Sequence, residues 1–505
     1  MAELDIYWIG LLALLPGVAL VAGRKLILRS FKRSTNPSEK DIVGDQRQRE
    51  ALAKDFRRTF LQVYLLVMGS EWLQGPYLYS VLRDEKHLSP NMVAILYTAT
   101  YSTAALFAPF TGILADRFGR RAACLTFCAI HSLSSLSVLS EAIPILVLGR
   151  MLGGVGITLL WTAFESWMVT EYNARGLGFG QTAIRLSDMF GIMTTANCIN
   201  AILAGVLAHC VVLALGSKTD PFMLGLALDA GAALLMLRTW KENRGVGAAM
   251  AVMEGEINST SEGVSQRKSS WFRDLMASLQ DRRILILSMV SSCFEGTIFL
   301  LMFCWPGALK EAYSRGSGRD QDSKLLPYGV IFANFMAAMV LGALAFNILM
   351  RRSRSLADPS CSTSTLPTAL LSSSLMLAGL CFLAAAFAKS ELQLFVAFLL
   401  LEACNGMYVP SIAYQRGRIV KDSGRASVYG LMNLPLFLFV IAALLTTAED
   451  GGTHRFIIFI FCAVLLLIAA VVSFIGLRDS QEGKGDFIEV PGFDKDVDTC
   501  EEEKV

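Results

Sequence analysis

The chain has 505 residues, 54% of them apolar and 17% charged, with a net charge of +2 and a mean hydropathy of +0.50. A soluble protein of this length carries nearer a quarter charged residues. Here the charges cluster between long apolar runs, so the composition excludes an ordinary soluble domain and describes an all-α polytopic membrane protein. The near-neutral balance is silent on nucleic acid, and no nucleic-acid partner is expected. The eleven cysteines are scattered without a CxxC pair and read as small core residues, not metal ligands or disulfides. No cofactor and no metal are expected.

In chain order, the first apolar run is LDIYWIGLLALLPGVALVAG at 4–23. No basic n-region precedes it, whereas Arg24, Lys25, Arg29, Lys32 and Arg33 follow it. It reads as an uncleaved transmembrane helix, within 1–23, whose basic end lies in the cytosol. A basic cytosolic linker, 24–58, leads to twelve further windows of roughly 20 residues, the length that spans about 30 Å of hydrocarbon. They fall near 60–82, 91–114, 122–140, 145–172, 183–212 and 221–239, then 283–308, 327–350, 365–388, 391–415, 424–447 and 455–477.

Two six-helix halves, 59–239 and 283–477, follow from the long polar loop between them, 240–282. Within that loop SWFRDLMASLQDRR (270–283) has the spacing of an interfacial amphipathic helix. The acidic stretch 478–505 reads as a disordered cytosolic tail. Arg117, Arg120 and Arg121, then Arg351, Arg352 and Arg354, then Arg416, Arg418, Lys421 and Arg425 fall in loops on the linker's side, which the positive-inside bias makes cytosolic. The sequon at Asn258 lies on the same side and should stay unglycosylated.

Four acids stand inside these windows. Glu165, in LLWTAFESWMV, has nothing nearby in sequence to neutralise it, and a charge in a bilayer core costs about 2.5–3.5 kcal/mol on insertion scales. Glu71, Glu295 and Glu402 lie near the middles of the first, seventh and tenth of the twelve spans, and Glu165 lies on the fourth. All four therefore fall on repeat-related pairs of helices, one with seven and four with ten. Gln74 and Asn405 share a helical face with Glu71 and Glu402. Structural pairing between helices is the alternative for each acid singly. Arg150 precedes Glu165 by roughly 22 Å of helix, so each must look elsewhere across the bundle. Arg185 and Asp188 read as an interfacial pair or as snorkelling side chains, and His131 and His209 as packed residues rather than proton relays. No phosphate loop, zinc spacing or nucleophile motif is present, so no enzymatic activity is expected.

The loop Gly112-Ile-Leu-Ala-Asp116-Arg117-Phe-Gly119-Arg120-Arg121 resembles the signature loop of the Major Facilitator Superfamily at every defining position. Gly342 to Arg352 looks like a decayed copy in the second half. Gly149-Arg150-Met-Leu-Gly153-Gly154-Val-Gly156 is similar to that superfamily's second motif. The resemblance implies a 6+6 helix fold, here with an additional N-terminal helix. It implies a central cavity lined by helices one, four, seven and ten, and a cytosolic latch at Gly112, Asp116, Arg117, Gly119, Arg120 and Arg121. Glu71, Gln74, Tyr77, Arg150, Glu165, Glu295, Glu402 and Asn405 become the candidate residues for substrate and proton.

Several stretches resemble one branch, the molybdate-anion transporters: EWLQGPYLY (71–79), AFESW (163–167), DRRILIL (281–287), GVIFANFMAAMVLG (329–342) and LEACNGMYVPS (401–411). This resemblance implies import of molybdate. Three positions depart from the branch pattern. Glu71 stands where Asp is usual, Ser187 where Lys or Arg is expected, and Asn433 where Arg is expected. A dianion entering a cavity of carboxylates would be repelled unless they took up protons, and burial with mutual repulsion favours that, so proton co-transport is expected. The alternatives are a transporter for a cation or neutral solute, or a non-transporting membrane sensor. The chain is expected to act as a monomer in the lipid bilayer, at the plasma membrane, with an intracellular membrane left open.

Overall fold

A computed structural model describes residues 6–31, 42–177, 186–244, 281–317, 326–356, 366–419, 432, 434–446 and 451–478, and these residues hold helices and no strand. The first seven helices are α1 (Ile6–Phe31), α2 (Ile42–Gln74), α3 (Pro90–Phe118), α4 (Arg120–Ser137), α5 (Ile143–Ala174), α6 (Leu186–Leu215) and α7 (Asp220–Thr239). The rest are α8 (Arg282–Ser317), α9 (Tyr328–Leu356), α10 (Leu366–Ala386), α11 (Glu391–Ile419), α12 (Leu434–Leu445) and α13 (Gly451–Arg478). Local chemistry sets several boundaries. Ser89 caps α3 by accepting from the Met92 amide at 3.3 Å, and Pro90 opens the helix, where its missing N–H costs nothing. Gly119, at φ 116°, makes the tight junction between α3 and α4 that a residue with a Cβ would strain. The readings for 270–280, for Asn258, Arg185 and Asn433, and for the tail beyond 478 lie outside the described residues, as do the side chains of Ser187 and Asp188.

The packing of the first half recurs pair for pair in the second. Helix α2 packs on α6 and α7, α3 on α5, and α4 on α5 and α7; likewise α8 packs on α12 and α13, α9 on α11, and α10 on α11 and α13. Two symmetric seams, α3 with α12 and α6 with α9, join the halves. The additional helix α1 lies against α9. There the Asn334 side-chain amide donates to the Tyr7 carbonyl at 2.9 Å, and the Tyr7 hydroxyl donates to Glu391 at 2.5 Å.

Among the described residues, eight helices are long and apolar enough to cross a membrane: α5 to α11 and α13. Helices α2 and α4 fall short of that measure: α2 stops at Gln74 soon after Arg57 and Arg58, α4 opens on Arg120 and Arg121, and both carry residues of the polar cluster described below. The first of the twelve spans also differs from its expected extent. Instead of running through 82, α2 stops at Gln74, turns over 75–77, and resumes as a short helical turn (Leu78–Ser80) and a π-helical turn (Val81–Glu85). Pro76 explains the break, since it has no N–H to offer the carbonyl four residues back. Broken spans of this kind commonly flank binding sites in transporters.

The halves meet at the end of the bundle opposite the 112–121 loop. One apolar cluster joins Leu73, Tyr77, Val93, Leu96, Ala204 and Ala208 of the first half to the core of the second. At the 112–121 end, the first half keeps a separate core of Phe56, Phe60, Phe127, Phe164, Trp167 and Trp240. Aromatic pairs bridge the joined end, among them Trp72 with Phe332, Tyr77 with Tyr328, and Tyr97 with Phe303. The Gly329 amide donates to the Tyr77 hydroxyl at 3.3 Å. Asp84 takes Lys218 of its own half at 2.6 Å and Lys310 of the other half at 3.0 Å.

This seam can be probed by packing and by charge. A side chain at Gly329 would run into the Gly205 backbone of α6, so Gly329→Val should cost about 1–3 kcal/mol, read as a lowered melting temperature of the purified protein. Burial raises the pKa of the Asp84 carboxyl, but hydrogen bonds and charges from Lys218 and Lys310 outweigh it and hold the group below its ordinary value. A carboxylate depressed in this way contributes to closure above its unfolded value, and the contribution is lost only as pH falls through the lower, folded one. Cysteine labelling at the joined end should therefore stay constant between about pH 5 and 8 and rise in Asp84→Asn at any pH in that window.

Candidate transport site

The broken end of α2 delivers Ser70, Glu71 and Gln74 to the interior, where α4, α5 and α7 meet them. His131 of α4 stands between two acids: its Nε2 lies 3.1 Å from Glu71 Oε2, and its Nδ1 lies 2.6 Å from Asp229 Oδ2 on α7. The Ser70 hydroxyl donates to the Gly225 carbonyl at 2.9 Å and lies 3.4 Å from His131 Nδ1. Gln74 Oε1 accepts from Ser135 at 3.0 Å. Arg150 of α5 is buried, donates to the Ser134 hydroxyl at 2.9 Å, and lies near enough to Glu71 for the two charges to act on each other. Four charged or chargeable groups from four helices thus share one buried cluster.

The second half is built differently. Glu295 of α8 accepts from Arg416 at 2.9 Å and from the Tyr408 hydroxyl at 3.2 Å, both on α11. Phe294 stacks on Tyr408 with ring centroids 3.8 Å apart, which fixes the tyrosine. Arg416 is not a loop residue as expected, because α11 continues to Ile419 and carries its guanidinium back to Glu295. Glu402 is fully buried. One of its oxygens accepts from Asn405 at 3.0 Å, and the other has no hydrogen-bond partner. Glu165 is exposed on α5, with Tyr64 of α2 as an electrostatic neighbour.

The candidate residues therefore divide. Glu71, Gln74 and Arg150 come together around His131, Glu402 pairs with Asn405, Glu295 goes to Arg416, and Glu165 stands apart. Tyr77 sits in the seam between the halves and not beside the acids. The residues missed by sequence reasoning are His131, Asp229, Arg416 and Tyr408. Asp229 had an available signal, as a lone acid in the apolar run LALDAGA of the sixth span.

The 112–121 loop is tied within its own half. Asp116 pairs with Arg120 at 2.7 Å, whose guanidinium also donates to the Ser166 carbonyl at 3.1 Å. Arg121 donates to the Leu237 carbonyl at 3.1 Å. Glu242, just past α7, accepts from the Arg121 and Ala122 amides at 2.9 and 3.1 Å, placing a carboxylate on the N-terminus of α4, where the helix dipole favours it. A Cβ built at Gly112 would meet nothing within 4 Å.

Comparison with known proteins adds to this geometry. Residues 38–358 match the model of a family described as sugar transporters with 12 transmembrane segments. The chain is 32% identical over 493 residues to the molybdate-anion transporter of Takifugu rubripes, covering 92% of this chain and 93% of that one. It is 31% identical over 441 residues to the molybdate-anion transporter of Danio rerio, covering 83% and 86%. Among solved structures it resembles the nucleoside transporter NupG, at a TM-score of 0.57 and 13% identity over 84% of this chain and 99% of that one. It also resembles the peptide transporter POT in complex with sulfate, at 0.62 and 12% over 84% and 94%. Both likenesses establish the fold.

The Glu295–Arg416 pair yields a stability test. Removing one partner leaves a charge with no counter-charge, whereas removing both does not. Arg416→Met should therefore lower the melting temperature more than the double variant Glu295→Gln/Arg416→Met, as read by thermal denaturation in detergent.

Proposed function

The chain belongs to the Major Facilitator Superfamily, in its molybdate-anion transporter branch, and from that premise we propose that it imports molybdate or a related tetrahedral oxoanion by proton-coupled alternating access. The observation that carries the substrate is the 32% identity with a molybdate-anion transporter across nine-tenths of both chains. The mechanism draws support from the packing: the halves share a core at one end and keep separate cores at the other, which is one of the two arrangements a rocking transporter visits. The charge bias of the loops makes the 112–121 end cytosolic, so this arrangement faces the cytosol. Gly112, Asp116, Arg117, Gly119, Arg120 and Arg121 would close against the second half in the other arrangement.

Within the bundle, Arg150 and Arg416 supply fixed positive charge. Gln74 and Asn405 supply neutral hydrogen bonds, and Tyr77 seals the outer end. Glu295 is already paired with Arg416 and Glu165 stands apart, so Glu71 and Glu402 are the acids that would repel a dianion unless protons neutralise them, which ties anion entry to proton entry. A neutral solute is the second reading, favoured by the description of the matched family as sugar transporters.

Uptake of radiolabelled molybdate into vesicles holding the purified protein tests the proposal. An inward proton gradient should raise uptake about tenfold, the equivalent of roughly 1.4 kcal/mol. Glu71→Gln should abolish that rise, and tungstate should compete where sugars and cations do not. Uptake indifferent to both the gradient and Glu71→Gln would end the proton-coupling reading, and competition by a sugar alone would favour the neutral solute.

A further inference from the structure

Sequence reasoning treats His131 as a packed residue rather than a proton relay, and the structure places it between two acids. Both ring nitrogens meet carboxylates from other helices, and the stacked Phe127 ring, with centroids 5.2 Å apart at 14°, fixes the imidazole plane. The two acids differ in access. The Glu71 side chain is 32% exposed and that of Asp229 is 0%, and Asp229 Oδ1 has no hydrogen-bond partner. Glu71 is the open end of the chain of groups and Asp229 the sealed end.

Hydrogen-bond counting fixes how many protons the cluster holds. A neutral imidazole has one N–H, so between two ionised carboxylates its other nitrogen would turn a lone pair onto an oxygen. One additional proton satisfies both contacts, either as an imidazolium between two carboxylates or as a neutral ring beside one carboxylic acid. With that proton the three groups carry one net negative charge, which Arg150 balances. Without it, one negative charge stays uncompensated in a buried site, which is strongly unfavourable. The other groups facing the cluster are accounted for: Tyr101 of α3 near Glu71, Tyr97 of α3 near Arg150, Cys128 of α4 near Asp229, and the hydroxyls of Ser70 and Ser135. None of them is a second cation.

We propose that Glu71, His131 and Asp229 form a one-proton relay and are the site where this transporter holds its coupling proton. In the inward transfer, the O–H bond of Glu71 breaks as an N–H bond forms at His131 Nε2. The N–H bond at Nδ1 breaks as an O–H bond forms on Asp229, so one proton moves from the accessible acid to the sealed one and no other species is consumed. The use of the relay in symport rests on the transport reading above; its existence does not.

Two measurements on the full chain in lipid separate those claims. In pH-difference infrared spectra without substrate, the wild type should show a carboxyl band that titrates together with imidazole bands. Asp229→Asn should remove that band and shift the imidazole titration, and His131→Gln should uncouple the two acids, Glu71 and Asp229, from each other. In vesicles, with labelled molybdate as the probe, either variant should lower gradient-driven accumulation at least about tenfold more than it lowers molybdate exchange at equal pH, a difference of roughly 1.4 kcal/mol. Linked titration in a protein that does not move molybdate would uphold the relay and overturn the substrate reading. Carboxyl and imidazole bands that titrate independently, or Asp229→Asn spectra and accumulation like those of the wild type, would overturn the relay.

Discussion

A charge inside a bilayer must be neutralised within the protein, and that constraint shapes both halves of this chain. The first half meets it with a cluster: two acids, one imidazole and one guanidinium from four helices, supported by serines and a glutamine. The second half meets it with a two-membered pair, Glu295 and Arg416, held by a stacked tyrosine. The same helix packing recurs in each half, yet the polar groups placed on it differ. One scaffold therefore supports a histidine–carboxylate cluster on one side and an arginine–carboxylate pair on the other. Glu402, fully buried with one oxygen unpartnered, has Asn405 as its hydrogen-bond donor and no counter-charge among the pairs described.

The second organising feature is where the halves touch. Glycines allow backbone contact between α6 and α9, aromatic pairs fill the seam, and Asp84 bridges to Lys310 at its rim. Toward the 112–121 loop each polar tie of that loop described above stays within the first half. A bundle joined at one end by close contacts, and at the other tied among the described residues within the first half, can rock without breaking either half's own core. The Glu71 cluster lies beside the seam, where Trp72 and Tyr77, its neighbours on the same broken helix, make the cross-half contacts. A proton change at Glu71 is therefore adjacent to the surface that must part.

Most of the architecture was legible because membrane helices announce themselves by length and apolarity, and because the Gly112–Arg121 loop carries a distinctive pattern. Helix ends were less legible. The Pro76 break in α2 and the extension of α11 past 415 depend on where backbone hydrogen bonds stop, which hydropathy does not report. The pairing of His131 was illegible for a different reason: its partners lie 98 positions away in one direction and on a separate helix in the other, and each residue alone looks like an ordinary polar visitor in an apolar run. Arg416 was hidden by the same boundary error that placed it in a loop. Position along the chain showed which helices carry charge, and only the packing showed which charges meet.

The account depends on the two halves changing places about a joined and a parted end. Distances between spin labels test this directly, with one pair at His87 and Lys389 on the joined end and another at Phe118 and Asn347 on the parted end. The account predicts two distance populations at each end that shift in opposite directions when molybdate and acid are added together. A single unchanging distance at both ends under every condition would contradict it.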